Sequence, residues 1–167
     1  MKHQLTAKDI QRMEEEIEYR KLVVRQEALE AVKTAREHGD LSENFEYYAA
    51  KKEKNKNESR IRFLERMIRT AEVITDESGE DEVGIDNTVE VQLEEDGSIE
   101  TYRLVTTMRK NSLEGLISTE SPVGKALLGH KEGDRVWVQV NPSFGYGMVI
   151  RKIIKTVDDG SDRLNSF

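Results

Sequence analysis

The chain has 167 residues, 35% of them charged and 36% hydrophobic, with a formal net charge of −7 and no cysteine. This composition argues for small domains with much surface per residue rather than one large core, and it excludes disulfides, thiolate metal sites and thiol catalysis. Residues 1–75 hold 16 Lys/Arg against 15 Asp/Glu, net +1, while residues 76–167 hold 10 against 18, net −8, which excludes the second half as a nucleic-acid platform by bulk electrostatics.

The first segment, Met1-Lys2-His3-Gln4, lacks the apolar run of a secretory signal, and no later stretch reaches the ~20 apolar residues of a membrane span. A cytoplasmic protein without membrane contact is expected. His3, His38 and His130 are too scattered to suggest a zinc site. From about Thr6 to His38 there is no Pro or Gly, and Ile10, Met13, Ile17, Val24, Ala28, Ala31 and Ala35 recur at helical spacing. The stripe is interrupted at Arg20 and Lys21. Such a helix would extend on the order of 50 Å. Gly39 supplies a helix stop, and Asp40 or Ser42 can cap the next helix. The second helical stretch, about Glu43 to Val73, carries Phe45, Tyr48 and Ala49, then Ile61, Leu64, Ile68 and Ala71. Two helices of matched length joined by a tight turn predict an antiparallel hairpin over residues 1–75. Its middle, Lys51 to Arg60, contains no apolar residue and carries net charge +3, so it is expected to add little to the helix seam.

Residues 76–87 are acidic and Gly-containing and read as a linker or a loose entry to the next domain. The period then changes to two. Val89, Val91 and Leu93 alternate with polar residues, Asp96-Gly97 signals a hairpin turn, and Ile99 to Val105 reads as the answering strand. Further strands are expected at Gly115 to Thr119, Arg135 to Val140 and Met148 to Thr156. Ser121-Pro122 before Val123, Ala126, Leu127 and Leu128, with Gly129 after, predicts a short capped helix. Residues 88–157 are therefore a small, mostly antiparallel β domain with one helix, and residues 158–167 a loose polar tail. Trp137 is assigned a packing role, and Phe144 to Gly147 an exposed turn. The fold class is α+β.

Asp40 and Glu43 are the candidate chemical residues. Asp-x-x-Glu before a helix is a capping-box pattern, and equally two carboxylates that can share a hard cation. The strip Lys51, Lys52, Lys54, Lys56 and Arg60 is either a solvated helix face or a phosphate contact, with Tyr47 or Tyr48 stacking on a base.

The run Ala35 to Ala50, with Gly39-Asp40-Leu41-Ser42-Glu43-Asn44 at its centre, resembles the tip signature of the bacterial Gre transcript-cleavage factors. Gly115 to Ser118, Ser121 to Gly129 and Glu132-Gly133-Asp134 are similar to the C-terminal motif of the same family. The resemblance covers about residues 4–156 and implies a coiled-coil hairpin followed by an FKBP-like domain. It implies a factor that is not an enzyme on its own but activates cleavage of backtracked nascent RNA by bacterial RNA polymerase, reached through the secondary channel. It further implies that Asp40 and Glu43 help hold the second Mg²⁺, shared with the polymerase and not bound tightly by the factor alone. By the same analogy Glu120, Ser121 and Pro122 dock on the polymerase, and the basic strip with Tyr47 and Tyr48 meets the RNA 3′ end. A monomer is expected. Phe45 stands where the family usually has Ala, Tyr48 is at a variable position, and the tail beyond Thr156 has no obvious counterpart. A channel-binding inhibitor and an unrelated coiled-coil adaptor are the rival readings.

Overall fold

A computed structural model describes residues 2–38 and 44–166. The chain divides into two compact units, one built on Ile10–Ala71 and the other on His3–Asp9 with Glu72–Ser166. No helix among the described residues is long and apolar enough to cross a membrane.

The helical unit contains α1 (Ala7–Tyr19, its first turn counted with the other unit), a π-helical segment (Arg20–Val24), α2 (Arg25–Arg36) and α3 (Phe45–Thr70). Cross-pairs show the antiparallel hairpin: Glu16 meets Arg60, Arg20 meets Asn57, Arg25 meets Glu58, and Ala35 meets Asn44. Met13, Ile61 and Leu64 are buried at the apolar seam that the spacing predicts, and Met67 is buried beside them. Toward the connection the expectation holds for Ala35, which is buried, and fails for Phe45 and Tyr48, which turn outward; between that end and the apolar seam the interior is polar.

The middle of α3, expected to contribute little, supplies that polar interior. Arg60 donates from Nε to Glu16 Oε2 at 2.8 Å, and Arg20 reaches the same oxygen at 2.7 Å. Arg25 forks onto both oxygens of Glu58 at 2.7 and 2.8 Å. Burial pushes the Glu16 carboxyl up, but the hydrogen bonds from Arg60 and Arg20 outweigh it and hold the group below the ordinary carboxylate range. The π segment falls where the apolar stripe breaks, at Arg20 and Lys21. Arg25 N–H bonds back to Arg20 O, five residues earlier, which marks the wider turn.

The other unit is a five-stranded sheet in the order β5-β4-β3-β7-β6, comprising β3 (Thr88–Leu93), β4 (Ile99–Val105), β5 (Leu116–Ser118), β6 (Arg135–Asn141) and β7 (Phe144–Ile154). A two-stranded parallel pair, β1 (Gln4–Leu5) with β2 (Glu72–Val73), belongs to the same unit. All neighbours in the larger sheet are antiparallel except β4 and β5, which matches the expectation of a mostly antiparallel sheet. Helix α4 (Pro122–Leu127) packs on β6 and β5, and Val89, Val91, Leu104, Leu127, Val136, Val138, Met148 and Ile150 form the core. Gly97 closes the β3–β4 turn at φ 72°, a conformation that suits Gly in a tight hairpin.

Four sequence expectations require correction. Residues 76–87 are no linker, because Val83, Ile85, Asp86 and Asn87 are buried and Val83 joins the core. Phe144 to Gly147 is not a turn but the start of β7, paired with β6 from Phe144 onward. Trp137 does not pack in the core: it is 53% exposed, while its neighbours Val136 and Val138 face inward. Its ring lies over Gly145, where a Cβ would come within 2.6 Å of the indole nitrogen. The polar tail is docked through Asp158, Asp162 and Asn165.

Candidate functional site

The hairpin end is built by Asn44. Its side-chain oxygen accepts from Tyr47 N–H at 3.0 Å and so caps α3, while its Nδ2 donates to Ala35 O at 2.6 Å and ties α3 to the end of α2. His38 Nδ1 and Glu46 Oε2 lie 2.9 Å apart beside this clamp. Asp40 and Glu43, the predicted carboxylate pair, lie outside the described residues, as does Ser42. Because Asn44 fills the cap position, α3 does not require Asp40 or Ser42 for that role.

The predicted basic strip separates into three groups. Lys52 and Lys56 are exposed on the outer face of α3, as is Tyr48. Tyr47, Lys51 and Lys54 form a flank, with the Arg36 guanidinium 5.5 Å over the Tyr47 ring. Hydrogen bonding to Arg36 lowers the Tyr47 hydroxyl, and the charges of Arg36, Lys51 and Lys54 push it the same way. Arg60, expected with the RNA-facing cations, lies instead inside the hairpin at 8% exposure on Glu16. Helical phase explains the correction, since Arg60 falls one residue before the inward Ile61 and three after the inward Asn57.

In the sheet unit, the predicted docking residues meet at the start of α4. Ser121 Oγ donates to Ser118 O at 2.6 Å and accepts from Gly124 N–H at 3.1 Å, so Ser121 is the helix cap. A Cβ on Gly124 would run into the Ser118 carbonyl oxygen, which is why Gly stands there. Glu120 is partly buried, accepting from Thr107 Oγ1, with His3 Nδ1 at 3.3 Å. Pro122 is exposed.

A buried ion cluster lies in the same unit and was not visible in the sequence. Arg109, 1% exposed, donates to Asp9 at 2.6 Å, Asp86 at 2.6 Å and Asp162 at 2.9 Å. Arg103 bonds Asp86 and Asp162 at 2.9 and 2.8 Å. Asp86, Asp158 and Asp162 bring carboxylate oxygens within 4.8 Å of one another, the spacing of a metal site, but the guanidinium of Arg109 sits among them. Burial raises the Asp162 carboxyl, and the bonds from Arg103 and Arg109 more than reverse it. No local motif announces this cluster, because its members come from α1, the entry to β3, β4, a 3-10 turn and the tail.

The two halves of the chain match one family in order. Residues 3–73 match the family described as "Transcription elongation factor, N-terminal", and residues 77–153 that described as "Transcription elongation factor, GreA/GreB, C-term". The chain belongs to the GreA/GreB family of transcription elongation factors, whose partner is RNA polymerase. It is 43% identical over 151 residues to transcription elongation factor GreA of Bacillus subtilis (strain 168), covering 90% of this chain and 94% of the relative. GreA of Geobacillus kaustophilus (strain HTA426) is 45% identical over 136 residues, covering 81% of this chain and 86% of the relative. Among solved structures, GreA factor homolog 1 (Gfh1) of Thermus thermophilus matches 92% of this chain and 99% of its own at 29% identity and a TM-score of 0.43.

Proposed function

We propose that this factor acts as a cytoplasmic monomer that enters the secondary channel of RNA polymerase hairpin first and stimulates the polymerase's own cleavage of backtracked RNA. The observation that carries the reading is the match of both halves to the family, with Asp40 and Glu43 standing in the connection between α2 and α3. The cap of α3 is supplied by Asn44, which supports a role for the two carboxylates beyond helix capping.

The donor set suits Mg²⁺ and is too small for it. Two carboxylates are hard oxygen donors, but a near-octahedral ion needs several more ligands, so Asp40 and Glu43 would hold it only where polymerase, phosphate or water completes the shell. A second Mg²⁺, when bound, would supply activation of the attacking water and compensation of developing negative charge. The remaining work falls to the chain itself. The Asn44 clamp on Ala35 closes the hairpin next to the acids in sequence and so fixes where the segment carrying them begins and ends. Glu120, Ser121 and Pro122 serve as the docking corner, with Pro122 outermost and Ser121 holding the start of α4.

Asp40→Asn and Glu43→Gln test the reading in a cleavage assay on backtracked complexes of core polymerase. Stimulated cleavage is expected to disappear while binding to polymerase persists. Cleavage at unaltered rates with both substitutions overturns the proposal.

A further inference from the structure

Phe45 is 86% exposed and Tyr48 52% exposed, on the first turn of α3. At ~100° per residue, Phe45, Tyr48, Lys52 and Lys56 fall within an arc of about 80°. All of them are exposed, whereas Asn57, Ile61 and Leu64 on the opposite side are buried. The outermost face of the helix is thus two aromatic rings nearest the tip followed by two cations. Ala49, Asn55 and Ser59 fill or border the rest of the arc, and no acid lies on it.

Phe45, with most of its ring in solvent, has no packing reason to be there. The adjacent tyrosine does have an occupation: Tyr47 lies under Arg36, with Tyr48 against its edge at 5.5 Å between centroids. Phe45 lies on the other side of the arc from Tyr48, directly beyond the Asn44 clamp that orients the helix start. A large apolar ring left in water costs free energy unless something covers it.

We propose that Phe45, with Tyr48, forms a stacking platform for an unpaired nucleobase of RNA, whose phosphates run along Lys52 and Lys56. The choice of occupant rests on charge and chemistry together. Flat rings beside an acid-free basic stripe match single-stranded nucleic acid, in which each base offers a π-face and each linkage a negative charge. An apolar protein surface would use the rings but gain nothing from the lysines. The inference deepens the cleavage reading and rests on it. It assigns Phe45 a role in how firmly the extruded RNA is held, and it makes that hold depend on the base, purine above pyrimidine above no base.

The test uses the full chain and backtracked complexes of core polymerase whose extruded RNA carries either a normal base, 2-aminopurine or an abasic residue. Factor affinity and 2-aminopurine quenching are read separately from cleavage. Phe45→Ala is expected to weaken binding by roughly five- to a hundredfold on RNA with a base, and to have little effect on abasic RNA. Quenching should fall in parallel. Phe45→Trp should restore both, and Phe45→Leu, equally apolar but not aromatic, should not. Equal losses on based and abasic RNA, or full restoration by Leu, overturn the stacking role and point to an apolar protein contact. If the unaltered chain stimulates no cleavage, the parent reading fails along with this one. If it stimulates cleavage and Phe45→Ala binds as tightly as before, only this inference fails.

Discussion

Arg20 and Asn57 are joined twice across the hairpin: Arg20 Nη1 donates to Asn57 Oδ1 at 2.9 Å, and Asn57 Nδ2 donates to the Arg20 carbonyl at 3.3 Å. The same carbonyl accepts the π-type bond from Arg25 N–H. Asn57 is buried, so its amide is satisfied by the segment where the opposite helix widens. Asn57→Ala would leave Arg20 without this partner and is expected to cost about 1–3 kcal/mol, read as a lower thermal midpoint of the helical unit. Asn57→Leu should cost no less, because added apolar volume does not restore the bonds.

Arg109 compensates three carboxylates at once. Arg109→Met would remove the cation that Asp9, Asp86 and Asp162 share in a buried site and leave Arg103 alone on the latter two, with an expected loss of about 3–5 kcal/mol. Urea unfolding of the sheet unit measures it. Adding Asp162→Asn to Arg109→Met should recover part of the loss, since it lowers the excess of buried carboxylates over the remaining Arg103.

Acid should loosen both units for the same reason. Glu16 and Asp162 have depressed values in the folded chain, so the unfolded chain binds more protons as pH falls. Their stabilisation is complete above the unfolded values near ~4 and is lost as pH drops from there through the depressed folded values. Melting curves between about pH 5 and 2 should show this decline, and Glu16→Gln should flatten the part belonging to the hairpin.

Ending the chain at Val157 would remove the bonds from Asp162 to Arg103 and Arg109, and those from Asn165 to the Thr107 and Met108 carbonyls. A loss of at least ~1.5 kcal/mol is expected, given that two of these are charged. Hydrogen exchange should quicken at Thr107–Arg109, a 3-10 turn whose backbone the tail covers.

The elements that could be read from sequence were those whose burial follows local periodicity. Val89 and Val91 alternate into the core, Asp96-Gly97 turns, and Ser121-Pro122 opens α4 as their types predict. What escaped was burial of charge and of irregular strand. Arg60, Asn57, Arg109 and Asp162 look like surface residues until partners distant in sequence appear opposite them. Phe144 to Gly147 looks like a turn because its glycines suggest one, yet Gly145 is small so that Trp137 can lie across it. At the candidate site, Lys52 and Lys56 were read in one strip with Lys51, Lys54 and Arg60, and Tyr48 among the seam residues; that Tyr48 turns outward with Lys52 and Lys56 while Arg60 turns inward was not legible, because residue type alone does not report helical phase.

The π segment at Arg20–Val24 accommodates one residue more than a regular helix would in the same rise. Removing a single residue there would let the helix become regular throughout while keeping the residues beyond it close to their present phase, so that Arg25 stays on Glu58 and Ala35 on Asn44. The same removal from the regular turns of α2 has no bulge to absorb it and turns everything beyond by about 100°. The hairpin's closure therefore tolerates a counting error in one place and not a few residues further on. A one-residue deletion within 20–24 should leave the Asn44 clamp closed, whereas one within 26–33 should unclasp it.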